Sequence, residues 1–144
     1  MKELSLKEIR RYNYSKVKDY VEDELAYLSH LGTKLSCLLP PDAGRQMSFM
    51  ERVDGIKTIG SKQEKYVEKK DILEQEIKKE LNRLEDNLKL MTKDELLVFE
   101  EVYIYQSTDE TLEERYCWSR NKILHMKKSF SIKLALSMGM DFEK

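Results

Sequence analysis

Residues 109–138 read DETLEERYCWSRNKILHMKKSFSIKLALSM, and this stretch predicts two helices joined by a tight turn. From Arg115 to Met140 the chain carries six Lys or Arg and no acid, whereas Thr92 to Glu114 carries one Lys and eight acids. The whole chain sums to a net charge of -1, so this reversal of sign is local. A basic helix behind a sharp turn is typical of a helix-turn-helix that reads DNA.

The second of these helices is predicted to begin at a cap and to have two different faces. Ser119 is a favourable N-cap, and Trp118 and Ile123 stand around it at the positions of a hydrophobic staple. The face expected in the core carries Ile123, Met126, Phe130 and Leu134. The face left free for a DNA groove carries Arg120, Asn121, Leu124, His125 and Lys128.

Particular roles follow from the chemistry of these side chains. Arg120 and Asn121 are the candidates for reading bases, because Arg and Asn can form paired hydrogen bonds with guanine and adenine. His125 lies one turn further on and could reach a base edge or a phosphate. The expected phosphate partners are Lys122, Lys127, Lys128 and Lys133. The set expected to contact DNA also includes Arg115, Ser119 and Leu124. The alternative is a solvated basic helix that only keeps the protein soluble.

The residues before this stretch predict one further helix of the same domain. Thr92 and Glu95 have the spacing of a capping box, which indicates a break in the chain at Thr92. A helix is expected over residues 93–105, a turn at 106–108 and a short helix at 109–116. Residues 92–144 are thus expected to form a three-helix domain.

Residues 1–91 are expected to form a helical arm. Helical spacing of apolar residues predicts a helix over about 4–31, with Asn13 as a candidate break and Gly32 as its end. An irregular connector follows to about residue 61, and then a long helix to residue 91. Its stripe has nearly heptad spacing and comprises Tyr66, Leu73, Ile77, Leu81, Leu84, Leu88 and Met91. The stripe needs a partner, either the first helix folded back as a hairpin or the same helix of a second chain in a homodimer.

Composition favours the all-α class and disfavours catalysis. The chain is 37% charged and has only 5 Gly and 2 Pro. Cys37 and Cys117 match no metal-ligand spacing, and no Gly-rich phosphate loop is present, so we expect neither an enzyme nor a metal or cofactor. Cys117 and His125 are eight positions apart with a cap between them, so Cys117 is expected to be a buried or half-buried turn residue. Without a signal peptide or membrane span in the sequence, a cytoplasmic location is expected.

Residues 90–140, from LMTKDELL to LALSMGM, resemble the C-terminal domain of phage-encoded transcriptional regulators of the ArpU type. That domain is itself similar to region 4 of sigma-70 factors. The capping Ser119, the Arg120–Asn121 pair and Ile123 match its pattern, whereas Tyr116, Cys117 and Trp118 are bulky where many such modules have Ala or Gly. The resemblance implies control of phage or prophage genes, typically late ones, inside a Gram-positive host cell.

The sequence therefore leaves three hypotheses about the function of the protein. The leading hypothesis is a sequence-specific regulator that binds double-stranded DNA and also contacts RNA polymerase. The candidate polymerase surface is acidic and comprises Asp94, Glu95, Glu100 and Glu101. A second hypothesis is a DNA-packaging component similar to a small terminase subunit, which would assemble into a ring. A third is a coiled-coil adapter that binds protein and has no affinity for DNA.

Overall fold

The computed structural model describes residues 2–38 and 55–144 of the chain. Within these ranges the regular elements are all helices, and extended backbone pairs only at an isolated bridge between Tyr12 and Glu143. The expected all-α class is therefore confirmed. In chain order the elements are α1 (Leu6–Ile9), α2 (Tyr14–Glu24), α3 (Ala26–Cys37), α4 (Gly55–Leu88), α5 (Lys93–Phe99), a π-helical turn (Glu100–Ile104), α6 (Asp109–Tyr116) and α7 (Arg120–Ser137).

The N-terminal helix expected over residues 4–31 is divided into three pieces. Asn13 is the predicted break, and its side chain caps α2 by accepting a hydrogen bond from a backbone amide of the first turn at 3.4 Å. A second break, at Leu25, separates α2 from α3. The prediction that Gly32 ends the helix is wrong, because α3 continues through it to Cys37.

Gly32 lets α3 pack closely against the π-helical turn and does not end the helix. A Cβ atom built on it would lie 1.8 Å from the carbonyl oxygen of Ile104. Helix α3 and the π-helical turn therefore touch backbone to backbone, which requires a residue without a side chain. Gln106, just after the turn, strengthens the contact because its amide donates to the Ser29 carbonyl at 2.9 Å and to the Thr33 hydroxyl at 2.7 Å.

The long charged helix α4 begins earlier than expected and also ends earlier. It was predicted over 62–91 and spans Gly55–Leu88, so the last part of the predicted connector is helical. Most of that connector lies outside the described residues. Helix α3 packs against α4, and Ile77 and Leu84 of the stripe are buried in the core. The chain's own α3 thus provides one partner for the stripe, while pairing with a second chain stays a prediction.

The predicted break at Thr92 is confirmed by its hydrogen bonds. The Thr92 hydroxyl accepts from the Glu95 amide at 3.3 Å, and a Glu95 carboxylate oxygen accepts from the Thr92 amide at 3.2 Å, which together form a capping box. The helix expected over 93–105 consists of α5 and the π-helical turn. The Tyr105 amide donates to the Glu100 carbonyl at 3.0 Å, a spacing of five residues that widens the last turn.

Helix α7 lies at the centre of the molecule. Helices α1, α2 and α5 all pack against it, and its Phe130 ring stacks on Phe99 with 5.0 Å between ring centroids. The segment after α7 returns to the N-terminal helices, where the Asn13 amide donates to the Phe142 carbonyl at 2.9 Å. Residues on both sides of the predicted domain boundary at residue 91 therefore share one core. Across the described ranges, none of the helices combines the length and apolarity needed to span a bilayer.

Candidate nucleic-acid interface

The connection between α6 and α7 is a three-residue turn capped on both sides. Helix α6 ends at Tyr116 and is followed by its C-cap Cys117, whose backbone is left-handed with φ of 56°. Helix α7 begins at Ser119, whose hydroxyl accepts a hydrogen bond from the Lys122 amide at 3.2 Å. The predicted limits of α6 and the predicted cap of α7 are confirmed. The expectation that Cys117 is buried or half-buried is wrong, because the residue is exposed.

The two halves of α7 have opposite environments. Its C-terminal half is enclosed by the other helices, and every residue from Ser129 to Ala135 is buried. Its N-terminal half is buried only along the face of Ile123 and Met126. The predicted core face is confirmed, since Ile123, Met126, Phe130 and Leu134 are all buried. The surface that α7 offers to a partner is therefore its first two to three turns.

The residues predicted to read DNA lie together on these first turns. Arg120 and Asn121 are exposed, and the Leu124 side chain beside them is 47% exposed. His125 is half-buried. Lys128 marks the end of the exposed part, with its Nζ atom 5.4 Å from the centre of the Tyr14 ring. Tyr14 belongs to α2, so its place at this surface could not be read from the sequence around α7.

The cations of this surface lie beside acids from neighbouring elements. The Lys122 Nζ is also 4.6 Å from the centre of the Trp118 ring, which holds its side chain over the turn. The ion pairs are Arg115 with Glu101 at 2.8 Å, Arg120 with Glu113 at 2.9 Å, Lys122 with Asp94 at 3.6 Å and Lys127 with Asp109 at 2.5 Å. The acids and bases that are separated along the sequence are therefore interleaved in space, and the surface is less basic than α7 taken alone.

Lys133 is not part of the surface, and its predicted contact with phosphate is wrong. The residue is 3% exposed, and its Nζ donates to a carboxylate oxygen of Glu95 at 2.7 Å in the core. The other carboxylate oxygen of Glu95 accepts from the Ser129 hydroxyl at 3.0 Å. A lysine held in this way has a structural role, because removing its charge from the buried pair would leave an unpaired carboxylate.

The predicted acidic surface for RNA polymerase is only partly exposed. Glu95 and Glu101 are buried and turned into the molecule, so their assignment to that surface is wrong. Asp94 is half-buried beside Lys122, and Glu100 is exposed on the π-helical turn. Asp94 and Glu100 are the members of the set that a partner could touch.

Glu101 instead joins the π-helical turn to α6. Its carboxylate accepts from the Ser107 hydroxyl at 2.6 Å, the Arg115 guanidinium at 2.8 Å and the Tyr116 hydroxyl at 2.8 Å. Burial by itself would raise the pKa of Glu101, but these hydrogen bonds and the Arg115 charge outweigh it, so the pKa lies below its ordinary value. The carboxylate therefore stays ionised and sets the position of α6. Sequence reasoning missed it, since the partners are six to fifteen residues away.

The described residues form no cluster of His, Cys, Asp and Glu that could hold a metal ion. What they do form is an exposed helix start with an Arg, an Asn and an apolar residue side by side, flanked by cations that each have a neighbour in the fold. Comparisons of the chain with models of protein families, with curated proteins and with solved structures gave no match.

Proposed function

We propose that this protein is a sequence-specific regulator that binds double-stranded DNA with the first turns of α7. The observation that carries the proposal is the contrast within that helix: residues 129–135 are all buried, whereas one face of its first turns is exposed directly after a three-residue turn. In helix-turn-helix proteins the N-terminal residues of the recognition helix contact base edges in the major groove. The exposed part of α7 carries residue types suited to that contact.

The residues divide into two roles. Arg120 and Asn121 are proposed to read bases through paired hydrogen bonds, and Leu124 could pack on a thymine methyl group. Lys122 and Lys128 flank these readers and are proposed to contact phosphates. The α6 and α7 helices, joined by the capped turn, and α5 with its π-helical turn supply the rigid frame for these contacts.

The resemblance to phage regulators extends the proposal to the control of phage or prophage genes. It also suggests a contact with RNA polymerase, for which Asp94 and Glu100 are the candidate residues. Asp94 lies beside the DNA-binding helix, since it pairs with Lys122, and Glu100 is exposed further along the same segment. A surface next to bound DNA is where a polymerase contact would have to lie.

Selection of binding sites from a randomised duplex library tests the proposal. Arg120→Ala and Asn121→Ala should each weaken binding to the selected duplex by about 1 to 3 kcal/mol and leave a scrambled duplex almost unaffected. Arg83→Ala is the matched control, because Arg83 is also an exposed cation in an ion pair, with Glu80 of α4 at 3.0 Å. The control should bind both duplexes like the wild type. No enrichment at low salt would contradict DNA binding.

A coiled-coil adapter that binds protein is the second candidate, and the ion pairs favour it. Arg120, Lys122 and Lys127 each lie beside a carboxylate, which lowers the attraction of this face for phosphates. If the protein is such an adapter, the selection should enrich no duplex, and Arg120→Ala and Asn121→Ala should not change DNA binding. Affinity for duplex DNA that falls steeply with salt would instead exclude it as the main function.

A further inference from the structure

Glu113 makes a specific contact with the proposed base reader Arg120. The Arg120 Nε donates to a Glu113 carboxylate oxygen at 2.9 Å, across the turn between α6 and α7. The Arg120 side chain is 71% exposed, and the Glu113 side chain is 30% exposed. The contact therefore lies at the edge of the surface, where most of the Arg120 side chain is accessible to a ligand.

The role of this contact depends on which guanidinium nitrogen of Arg120 binds Glu113. A guanidinium carries five N–H donors in a planar fork. Because Glu113 engages Nε, the two terminal nitrogens Nη1 and Nη2 remain to donate to a ligand, and no hydrogen bond from either occurs among the described residues. Two parallel N–H groups match the O6 and N7 acceptors of guanine. Fixing the guanidinium before binding also reduces the conformational entropy lost on binding.

We infer that Glu113 is a positioning residue that orients Arg120 for guanine, an inference that rests on the DNA binding proposed above. Its charge has a second effect of the opposite sign. A carboxylate beside Arg120 repels phosphates and neutralises the guanidinium charge. It therefore lowers the affinity of Arg120 for DNA that lacks the recognised guanine. Glu113 therefore raises sequence preference while it weakens non-specific binding.

The neighbouring pair of Lys127 and Asp109 provides a matched comparison. The Lys127 Nζ lies 2.5 Å from a carboxylate oxygen of Asp109, and this ion pair also joins α7 to α6. A lysine ammonium has no planar fork, so a carboxylate beside it neutralises charge without orienting a paired contact. Asp109→Asn should therefore raise affinity for every duplex by a similar factor and leave the base preference unchanged.

The experiment uses the selected duplex and a partner duplex in which the guanine recognised through Arg120 is replaced by adenine. That guanine is the base whose preference disappears in Arg120→Ala. Glu113→Ala should reduce the guanine preference about tenfold, since a well-placed paired contact discriminates by roughly that much or more. On a scrambled duplex the same variant should bind severalfold more tightly, with a salt dependence steeper by about 0.9 because one more cation is free to meet a phosphate.

Glu113→Gln separates orientation from charge. A glutamine keeps an oxygen that can accept from the Arg120 Nε, so this variant should keep most of the guanine preference and still gain affinity for the scrambled duplex. Thermal unfolding of each variant checks the fold, which an exposed ion pair changes little. The measured preference is a ratio between two duplexes and does not depend on the fraction of folded protein.

Two results would overturn the inference, and they are distinguishable. If Arg120→Ala loses a guanine preference that Glu113→Ala retains, Glu113 does not position Arg120, although the DNA-binding proposal stands. If the wild type prefers no duplex and binds none at low salt, both the inference and the proposed function are wrong.

Discussion

A buried carboxylate connects three parts of the chain that are far apart in sequence. Glu95 closes the cap of α5 through the Thr92 amide, and it also accepts from Lys133 and Ser129 of α7. The Ser129 hydroxyl in turn accepts from the Leu4 amide at 2.9 Å. Among the described residues, no buried side-chain polar atom lacks a hydrogen-bond partner. A network satisfied in this way specifies one arrangement of the helices around it.

Lys133→Met should therefore destabilise the protein by about 3 to 5 kcal/mol, because it leaves the Glu95 carboxylate buried without its cation. Lys128→Met is the matched control on the same helix, and losing its contact with the Tyr14 ring should cost less than about 1 kcal/mol. Chemical unfolding in urea measures both values. A Lys133→Met protein that keeps its stability but binds DNA less well would restore the phosphate role.

The position of Lys133 shows which residue-level features the sequence can predict. The capping box of Thr92 and Glu95 depends on a spacing of three residues, so it could be predicted. Lys133 lies three residues after Phe130 on the buried face of α7, a spacing that signals burial. The positive charge of Lys133 instead suggested a phosphate contact. The carboxylate that compensates this charge belongs to Glu95, which is 38 residues away and has no local signal.

At the scale of elements, the junction of α3 with the π-helical turn depends on one glycine. Gly32→Ala would place a methyl group 1.8 Å from the Ile104 carbonyl oxygen, so the two backbones would have to separate. We expect a loss of about 3 kcal/mol or more, at the upper end of what overpacking costs, since backbone cannot rotate away. Lys34→Ala, at an exposed position of the same helix, should change stability by less than about 0.5 kcal/mol. Equal unfolding midpoints for both variants would contradict this packing.

The junction of the π-helical turn with α6 should respond to acid through Glu101. The pKa of Glu101 lies below its ordinary value of 4.5, so below that pH the unfolded chain binds more protons than the folded one. Its stabilising effect is present above pH 4.5 and is lost as the pH falls through the folded-state pKa. Glu101→Gln should lower stability at pH 7 and make the decline below pH 4.5 shallower.

Thermal unfolding measured from pH 7 to pH 3 checks this expectation. Glu76→Gln is the control, because Glu76 is an exposed acid on α4. It should follow the wild-type curve throughout. An acid-induced decline that is as steep in Glu101→Gln as in the wild type would show that other carboxylates cause it.

Element limits were predictable where local chemistry sets them. The ends of α6 and the start of α7 follow from Thr108, Ser119 and the residues between them, and both are found in the structure as predicted. The π-helical turn was not predictable, because it packs on α3 at Gly32 and is joined to α6 by the hydrogen bonds of Glu101 with Arg115 and Tyr116, and these contacts have no local signal. The start of α4 was also missed, since Gly55 and Gly60 suggested a connector although a long helix tolerates each glycine at a cost of about 1 kcal/mol.

The fold as a whole brings together acidic and basic residues that lie apart in the sequence. Acids before residue 115 and bases after it become neighbours, as in the pair of Lys122 with Asp94. The candidate readers could be predicted from the cap and the helical period. Their carboxylate neighbours could not, because each pair depends on how α5 and α6 pack against α7. A folded surface of this kind should bind DNA with fewer phosphate contacts than a count of its basic residues suggests.

A salt titration of wild type, Arg120→Ala and Lys128→Ala on the selected and the scrambled duplex shows directly whether the first turns of α7 read bases. Arg120→Ala should lose affinity mainly for the selected duplex, because Arg120 is paired with Glu113 and makes no phosphate contact on DNA that lacks the recognised guanine. Lys128→Ala should weaken binding to both duplexes equally and flatten the plot of log affinity against log salt by about 0.9. Parallel losses by both variants on both duplexes would contradict base reading by α7, and unchanged affinities would contradict any role of this helix in binding DNA.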